Sequence, residues 1–186
     1  MLLLVGLGNP SPDNEHNRHN IGFKVIDAIN KKFSLSKQKP KFKGLLTTGI
    51  IEDKKVYAIK PLTFMNNSGQ AIRELIEYFK IDLKDVFVFH DDLDIEFGKI
   101  KTKFAGSSAG HNGIESIDKF IGKDYSRIRI GIGRPDSKDE VADHVLKNFD
   151  EEEKEKMIHT IKKITSSISI LIDKKLELFS SKVNQT

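Results

Sequence analysis

Residues 2–7 read LLLVGL and break at once into Gly8-Asn9-Pro10. Six apolar residues bounded by a turn signal form the kind of run that becomes a buried central strand. A strand covered on both faces needs helices on both sides, so this run points to an α/β layered domain. The next segments support that reading. Asn20 precedes IGFKVIDAINKKF (residues 21–33), in which Ile21, Val25, Ile26, Ile29 and Phe33 line one helical face. LLTTGII (45–51) and KVYAIK (55–60) read as a hairpin pair around Glu52-Asp53-Lys54-Lys55. Residues 61–69 form a loop into a helix over about 70–79, and VFVFH (86–90) is a second buried strand.

GKIKTKF (98–104) alternates lysines like a strand with one basic face. Small residues fill the loop 106–113, a helix spans about 114–121, and RIRIGIG (127–133) is the last strand. Residues 151–178 read as one long amphipathic helix, with Ile158, Ile161, Ile164 and Ile168 recurring at helical spacing. No repeat or low-complexity tract interrupts the chain. Its 186 residues suit one domain, and a chain of that length can bury a core without staples.

Composition narrows the function. There is no cysteine, which excludes a disulfide framework, a zinc–thiolate site and a thiol nucleophile, and fits a reducing cytoplasm. The N-terminal apolar run is too short for a signal peptide, and no segment is long enough to span a bilayer. Thirty-one Lys and Arg against 27 Asp and Glu leave a formal charge of +4, too mild an excess to establish a polyanionic partner. Placement matters more. Lys99, Lys101 and Lys103 alternate on one strand, with Arg127 and Arg129 on another. Each set shares a face, either a solvated one or a stripe that holds phosphates.

Gly6-Leu7-Gly8 invites a dinucleotide-binding reading, but the third glycine of the fingerprint falls at Ser11 and Pro10 breaks the turn. Neither a P-loop nor a G-x-S-x-G nucleophile elbow occurs. His19 lies just before the first helix. A lone histidine is more often structural than catalytic, yet neutral imidazole is the natural base near neutral pH and needs an orienting acceptor. His90-Asp91-Asp92-Leu93-Asp94 can supply that carboxylate, can be a solvated turn, or can be a hard-metal site in a phosphoesterase. Asn9, Asn66 and Asn112 each sit in a glycine-containing loop, where an amide can hold a carbonyl or a water. A non-catalytic RNA-binding module is the remaining alternative.

Taken together these segments resemble the bacterial-type peptidyl-tRNA hydrolases. The resemblance rests on Gly6-Leu7-Gly8-Asn9-Pro10 followed by Arg18-His19-Asn20-Ile21-Gly22, and on Pro61-Leu62-Thr63-Phe64-Met65-Asn66 with Ser68-Gly69. It extends to His90-Asp91-Asp92-Leu93-Asp94, to Gly110-His111-Asn112-Gly113, and to the run from Arg127 to Pro135, in family order over nearly the whole chain. It implies a three-layer α/β/α domain with a mixed central sheet, working as a metal-free, cofactor-free monomer. The implied reaction is hydrolysis of the ester between a peptide and the 3′-terminal ribose of tRNA. By position His19 resembles the general base and Asp91 its orienting partner. Asn9 resembles the residue that senses the blocked peptide end. Phe64 and Asn66 resemble substrate-holding residues, with Asn66 polarising the ester, and Asn112 resembles the amide that holds water and the tRNA end. Lys101, Lys103 and Arg129 fall where the family grips phosphates. Two positions depart: Asn14 and Asn17 stand where the family usually has Tyr and Thr. The Tyr is a tRNA-end contact, so Asn14 forgoes a stacking contribution of about 1–3 kcal/mol.

Overall fold

Leu2–Gly6 forms β1, and every residue of it is buried. Side chains alternate across a strand, so Leu2 and Leu4 enter one core while Leu3 and Val5 enter another. In the computed structural model, which describes residues 1–186, β1 lies inside a seven-stranded mixed sheet. The other strands are β2 (Lys39–Lys41), β3 (Gly44–Ile51), β4 (Lys54–Pro61), β5 (Val86–Asp92), β6 (Ile100–Phe104) and β7 (Ser126–Gly131). Their order is β2-β3-β4-β1-β5-β7-β6. The four strands β4, β1, β5 and β7 run parallel, whereas β2, β3 and β6 join by antiparallel pairing.

Helices cover both faces, giving the expected three layers. On one face α1 (Ile21–Lys32) packs with α5 (Glu151–Ser166), α6 (Ile168–Ile172) and α7 (Leu176–Asn184) over Leu4, Phe87, Phe89 and Ile130. On the other, α2 (Ser68–Phe79) and α3 (Asn112–Ile121) bury Ile72, Leu75, Ile114 and Ile117 against Leu3, Val5 and Val88. A short α4 (Val141–Leu146) precedes α5. No helix is long and apolar enough to cross a membrane.

The long helix expected over 151–178 is corrected to three segments. Asp150 opens α5 with a reciprocal capping box to Glu153. Ser167 leaves helical geometry, and Lys174 takes the left-handed region at φ 64° after α6. Lys174 and Lys175 then return their N–H groups to Leu171 and Ile170, closing the end as a left-handed cap. The buried stripe on α5 is Met157, Thr160 and Ile164, while Ile158 is 67% exposed.

Two glycines set where α1 begins. A Cβ on Gly6 would stand 2.2 Å from the Gly22 carbonyl oxygen, and one on Gly22 would stand 2.4 Å from both Leu7 N and Phe89 O. The first turn of α1 therefore rests directly on the backbones of β1 and β5. These contacts are backbone and cannot rotate away. Gly22→Ala is expected to cost at least the roughly 1–3 kcal/mol typical of overpacking, read as a lowered urea midpoint. An unchanged midpoint would contradict this close approach.

Candidate active site

The parallel strands β1 and β5 end on the same side of the sheet, and the polar loops gather there, beyond their carboxyl ends. After β1 the chain turns through Gly8 to Asn9. Asn20, at the N-terminus of α1, binds both sides of the Asn9 backbone: its Oδ1 accepts from Asn9 N–H at 2.8 Å, and its Nδ2 donates to Asn9 O at 2.9 Å. The Asn9 Oδ1 accepts from Met65 N–H at 2.8 Å. That fixes the amide, so its Nδ2 is left as a donor with no partner in the chain. Asn20 was not singled out from the sequence; its only signal is its place before the helix.

His19 sits on a one-turn 3-10 helix, Arg18–Asn20, capped by the Asn17 side chain. Asn14 accepts from Asn17 Nδ2 at 2.8 Å, so it braces that cap. Arg18 turns inward, pairs with Glu153 at 2.9 Å and donates to the carbonyls of His144 and Lys147. The segment bearing His19 is thus tied to α4 and α5.

Asp91, near the end of β5, is 2% exposed. His19 Nδ1 lies 2.9 and 2.8 Å from its two carboxylate oxygens, and His111 Nε2 lies 2.8 Å from Oδ1. His111 is the N-cap of α3: its Nδ1 accepts from the N–H groups of Gly113 and Ile114 at 3.1 and 3.2 Å. A nitrogen that accepts carries no proton, so His111 holds its proton on Nε2 and donates it to Asp91. The carboxylate accepts from both imidazoles. His19 is thereby protonated on Nδ1, which leaves Nε2 as a bare lone pair. His111, like Asn20, is a site residue that sequence reasoning did not assign; a histidine at a helix N-cap position was the available signal.

The electrostatics agree. Burial alone would depress His19, but the Asp91 charge and hydrogen bond outweigh it and hold the pKa above 6.5. Burial would raise Asp91, yet His19 and His111 together hold it far below the ordinary carboxylate range. His90 is pushed down to about 3, by burial first and then by His111 and Arg127. It is neutral, and its Nδ1 donates to the Asp91 carbonyl at 2.8 Å. Both the main chain and the side chain of Asp91 are therefore fixed by neighbouring histidines.

The metal alternative is corrected by the same geometry. His90, Asp91, Asp92 and Asp94 do not converge: Asp92 pairs with Arg129 at 2.8 Å and Asp94 with Arg134 at 2.6 Å. The three groups that do converge are His19, Asp91 and His111. A cation there would need a lone pair on His111 Nε2, and so a proton on Nδ1 against two backbone N–H groups. The donor set does not fit.

A cleft of about 540 Å³ opens in front of His19 and Asp91, walled by Gly110, His111, Asn112 and Val145. Asn112 is exposed at the start of α3. Phe64 is 58% exposed at φ 63°, a backbone region uncommon for a bulky residue. Asn66 is exposed on the turn that Asn9 anchors through Met65.

Residues 3–186 match the family model described as peptidyl-tRNA hydrolase. A curated peptidyl-tRNA hydrolase of Pelagibacter ubique (strain HTCC1062) is 78% identical over 184 residues, which cover 99% of each chain. The chain belongs to the peptidyl-tRNA hydrolase family. A second curated relative, from Bartonella henselae, is 46% identical over all of this chain and 96% of its own. The crystal structure of peptidyl-tRNA hydrolase from Acinetobacter baumannii superposes with a TM-score of 0.93 at 34% identity, over 99% of this chain and 94% of that one. The activity is that of the family: hydrolysis of the ester joining a peptide to tRNA.

The basic face of this hydrolase is smaller than the strand pattern suggests. Lys101 and Lys103 are exposed on β6, and Lys101 pairs in register with Arg129 on β7. Arg129 is partly exposed and held by Asp92. Arg127 does not join them. It is 2% exposed, donates to Ser107 O at 2.8 Å and pairs with Asp118 at 2.9 Å, beneath the loop that leads to His111. Of the alternating arginines, Arg129 alone stays at the surface with Lys101 and Lys103.

Proposed function

We propose that His19 Nε2 takes a proton from water, which attacks the ester carbonyl of peptidyl-tRNA, while Asp91 stabilises the imidazolium that forms. The observation that carries this is the hydrogen-bond chain His19–Asp91–His111, in which the ionised Asp91 can only accept and so holds the proton of His19 on Nδ1, while the capped His111 anchors the carboxylate. Asn66 polarises the ester carbonyl, and amide donors of this kind act where negative charge develops. The Asn9 Nδ2 donor meets the first amide carbonyl of the blocked peptide, which free aminoacyl-tRNA lacks. Asn112 holds the water and the tRNA end, and Phe64 packs on the substrate. Lys101, Lys103 and Arg129 hold phosphates, and Asn14 lies beside the tRNA end without stacking on it. The enzyme acts as a monomer in the cytoplasm, where its substrate arises, and uses no metal. The test is release of free tRNA from N-acetyl-aminoacyl-tRNA, with the unblocked ester as control. Cleavage of the blocked ester alone is expected; equal cleavage of both would remove the role given to Asn9.

The pH dependence is set by the sign of the His19 shift. The base works only when neutral, and its pKa is raised above 6.5. Activity is therefore full above that pKa and falls as pH drops through it. The profile of kcat/KM should show one acid-side inflection above 6.5, with Asp91 ionised throughout. An inflection below 6.5 would contradict the coupling to Asp91.

A further inference from the structure

Residues 10–17 form a stiff platform just before the base. Pro10 and Pro12 fix their own backbone angles. The N–H groups of Asn14 and Glu15 return to the carbonyls of Ser11 and Pro12 at 2.9 and 3.2 Å. Asn14 then grips Asn17 twice: its carbonyl accepts from Asn17 N–H at 3.1 Å, and its Oδ1 accepts from Asn17 Nδ2 at 2.8 Å. We infer that Asn14 and Asn17 are positioning residues for the base: their amide pair holds the Arg18–Asn20 turn, and with it the direction in which His19 Nε2 points. The inference rests on the reading of His19 as the base.

Asn17 is completely buried, at 0% exposure. Its Oδ1 accepts from Asn20 N–H at 3.2 Å, and its backbone pairs with Asn148 in an isolated antiparallel bridge. An amide can accept and donate at once, and Asn17 does both. A buried donor left without a partner costs about 1–3 kcal/mol, so the turn settles where Nδ2 meets Asn14. Beyond the turn Asn20 binds both sides of the Asn9 backbone. His19 therefore sits between two amides that are each fixed from outside the turn.

Asp91 alone does not give the ring its direction. His19 Nδ1 lies at 2.9 and 2.8 Å from the two carboxylate oxygens. Nearly equal contacts fix where Nδ1 lies but leave the ring free to tilt about it. The tilt aims Nε2, on the opposite side of the ring, so the turn that carries His19 must set it. Such aim matters to the rate, because misplacing a reacting group by about 1 Å costs about 10²-fold.

The experiment measures kcat and KM on N-acetyl-aminoacyl-tRNA, at a pH above the activity inflection. Asn14→Ala should lower kcat about tenfold with KM unchanged, a part of the loss that full misplacement brings. Asn17→Thr keeps an oxygen for the cap but lacks the second donor, and should lose as much. The double variant should be no slower than either single one, since both remove the same bond. Asn14→Asp keeps the acceptor and should recover most of kcat. A rise in KM with kcat unchanged in Asn14→Ala would make Asn14 a tRNA contact alone and overturn the inference. So would a double variant whose loss is the product of the two, or Asn14→Asp as slow as Asn14→Ala. The ¹⁵N–¹H signal of His19 Nδ1–H should move in Asn14→Ala while that of His111 Nε2–H stays; an unmoved His19 signal contradicts the proposal. If His19→Ala keeps its turnover, the reading of the base fails and this inference with it. If His19→Ala is slow and Asn14→Ala is not, this inference alone fails.

Discussion

His19→Ala lowers kcat by about 10²–10⁴-fold, the range expected when a positioned general base is lost. The affinity for tRNA stays near that of the parent protein. The reason is spatial. The His19 side chain is only 11% exposed and touches Asp91, whereas Lys101 and Lys103, proposed above to hold phosphates, are on β6 at the sheet edge. The variant should also fold, because His111 continues to satisfy Asp91 Oδ1 at 2.8 Å. Single-turnover hydrolysis and filter binding on the same preparation separate chemistry from binding. A turnover within a few-fold of the parent, or a dissociation constant that rises in step with the loss, contradicts the assignment.

Asp91→Asn is expected to do more than its size suggests. His111 cannot change tautomer without opposing the N–H groups of Gly113 and Ile114, so its Nε2–H must meet an oxygen. The amide introduced by the substitution has one oxygen and one NH₂. The oxygen goes to His111, and the NH₂ is left facing His19 Nδ1. His19 then accepts there and carries its proton on Nε2, where it cannot act as base. A tautomer reversal of this kind in other His–Asp pairs lowers kcat about 10⁴-fold with the geometry intact. The same loss is expected here, with a KM close to that of the parent. Loss of less than about tenfold would mean that the carboxylate neither orients nor stabilises the imidazole.

Much of this architecture is legible in the first seven residues. LLLVG feeds two cores alternately, which requires two helical layers, and the sheet has them. Asp91 at a strand end and His19 beside a helix start were legible as candidates, and the ordered motifs joined them. Other features depend on long-range geometry. Arg127 and Arg129 alternate as a surface strand would, but β7 lies between β5 and β6, and the α3 layer covers Arg127. Alternation tells which residues share a face, not whether that face meets water. The breaks at Ser167, between α5 and α6, and at Lys174, between α6 and α7, have no glycine or proline to announce them; Lys174 takes the left-handed turn as the chain folds back onto β6. His111 escaped notice because its importance lies in which nitrogen is free, and that depends on two backbone N–H groups of α3.

The bare lone pair of His19 is set by the ionised Asp91, which the cap of α3 holds in place through His111. The most direct test is the ¹⁵N–¹H correlation spectrum of histidine-labelled protein, at a pH well above the activity inflection. It is predicted to show His19 protonated on Nδ1 with an unprotonated Nε2, and the reverse in Asp91→Asn. His19 protonated on Nε2 in the parent protein would contradict the account.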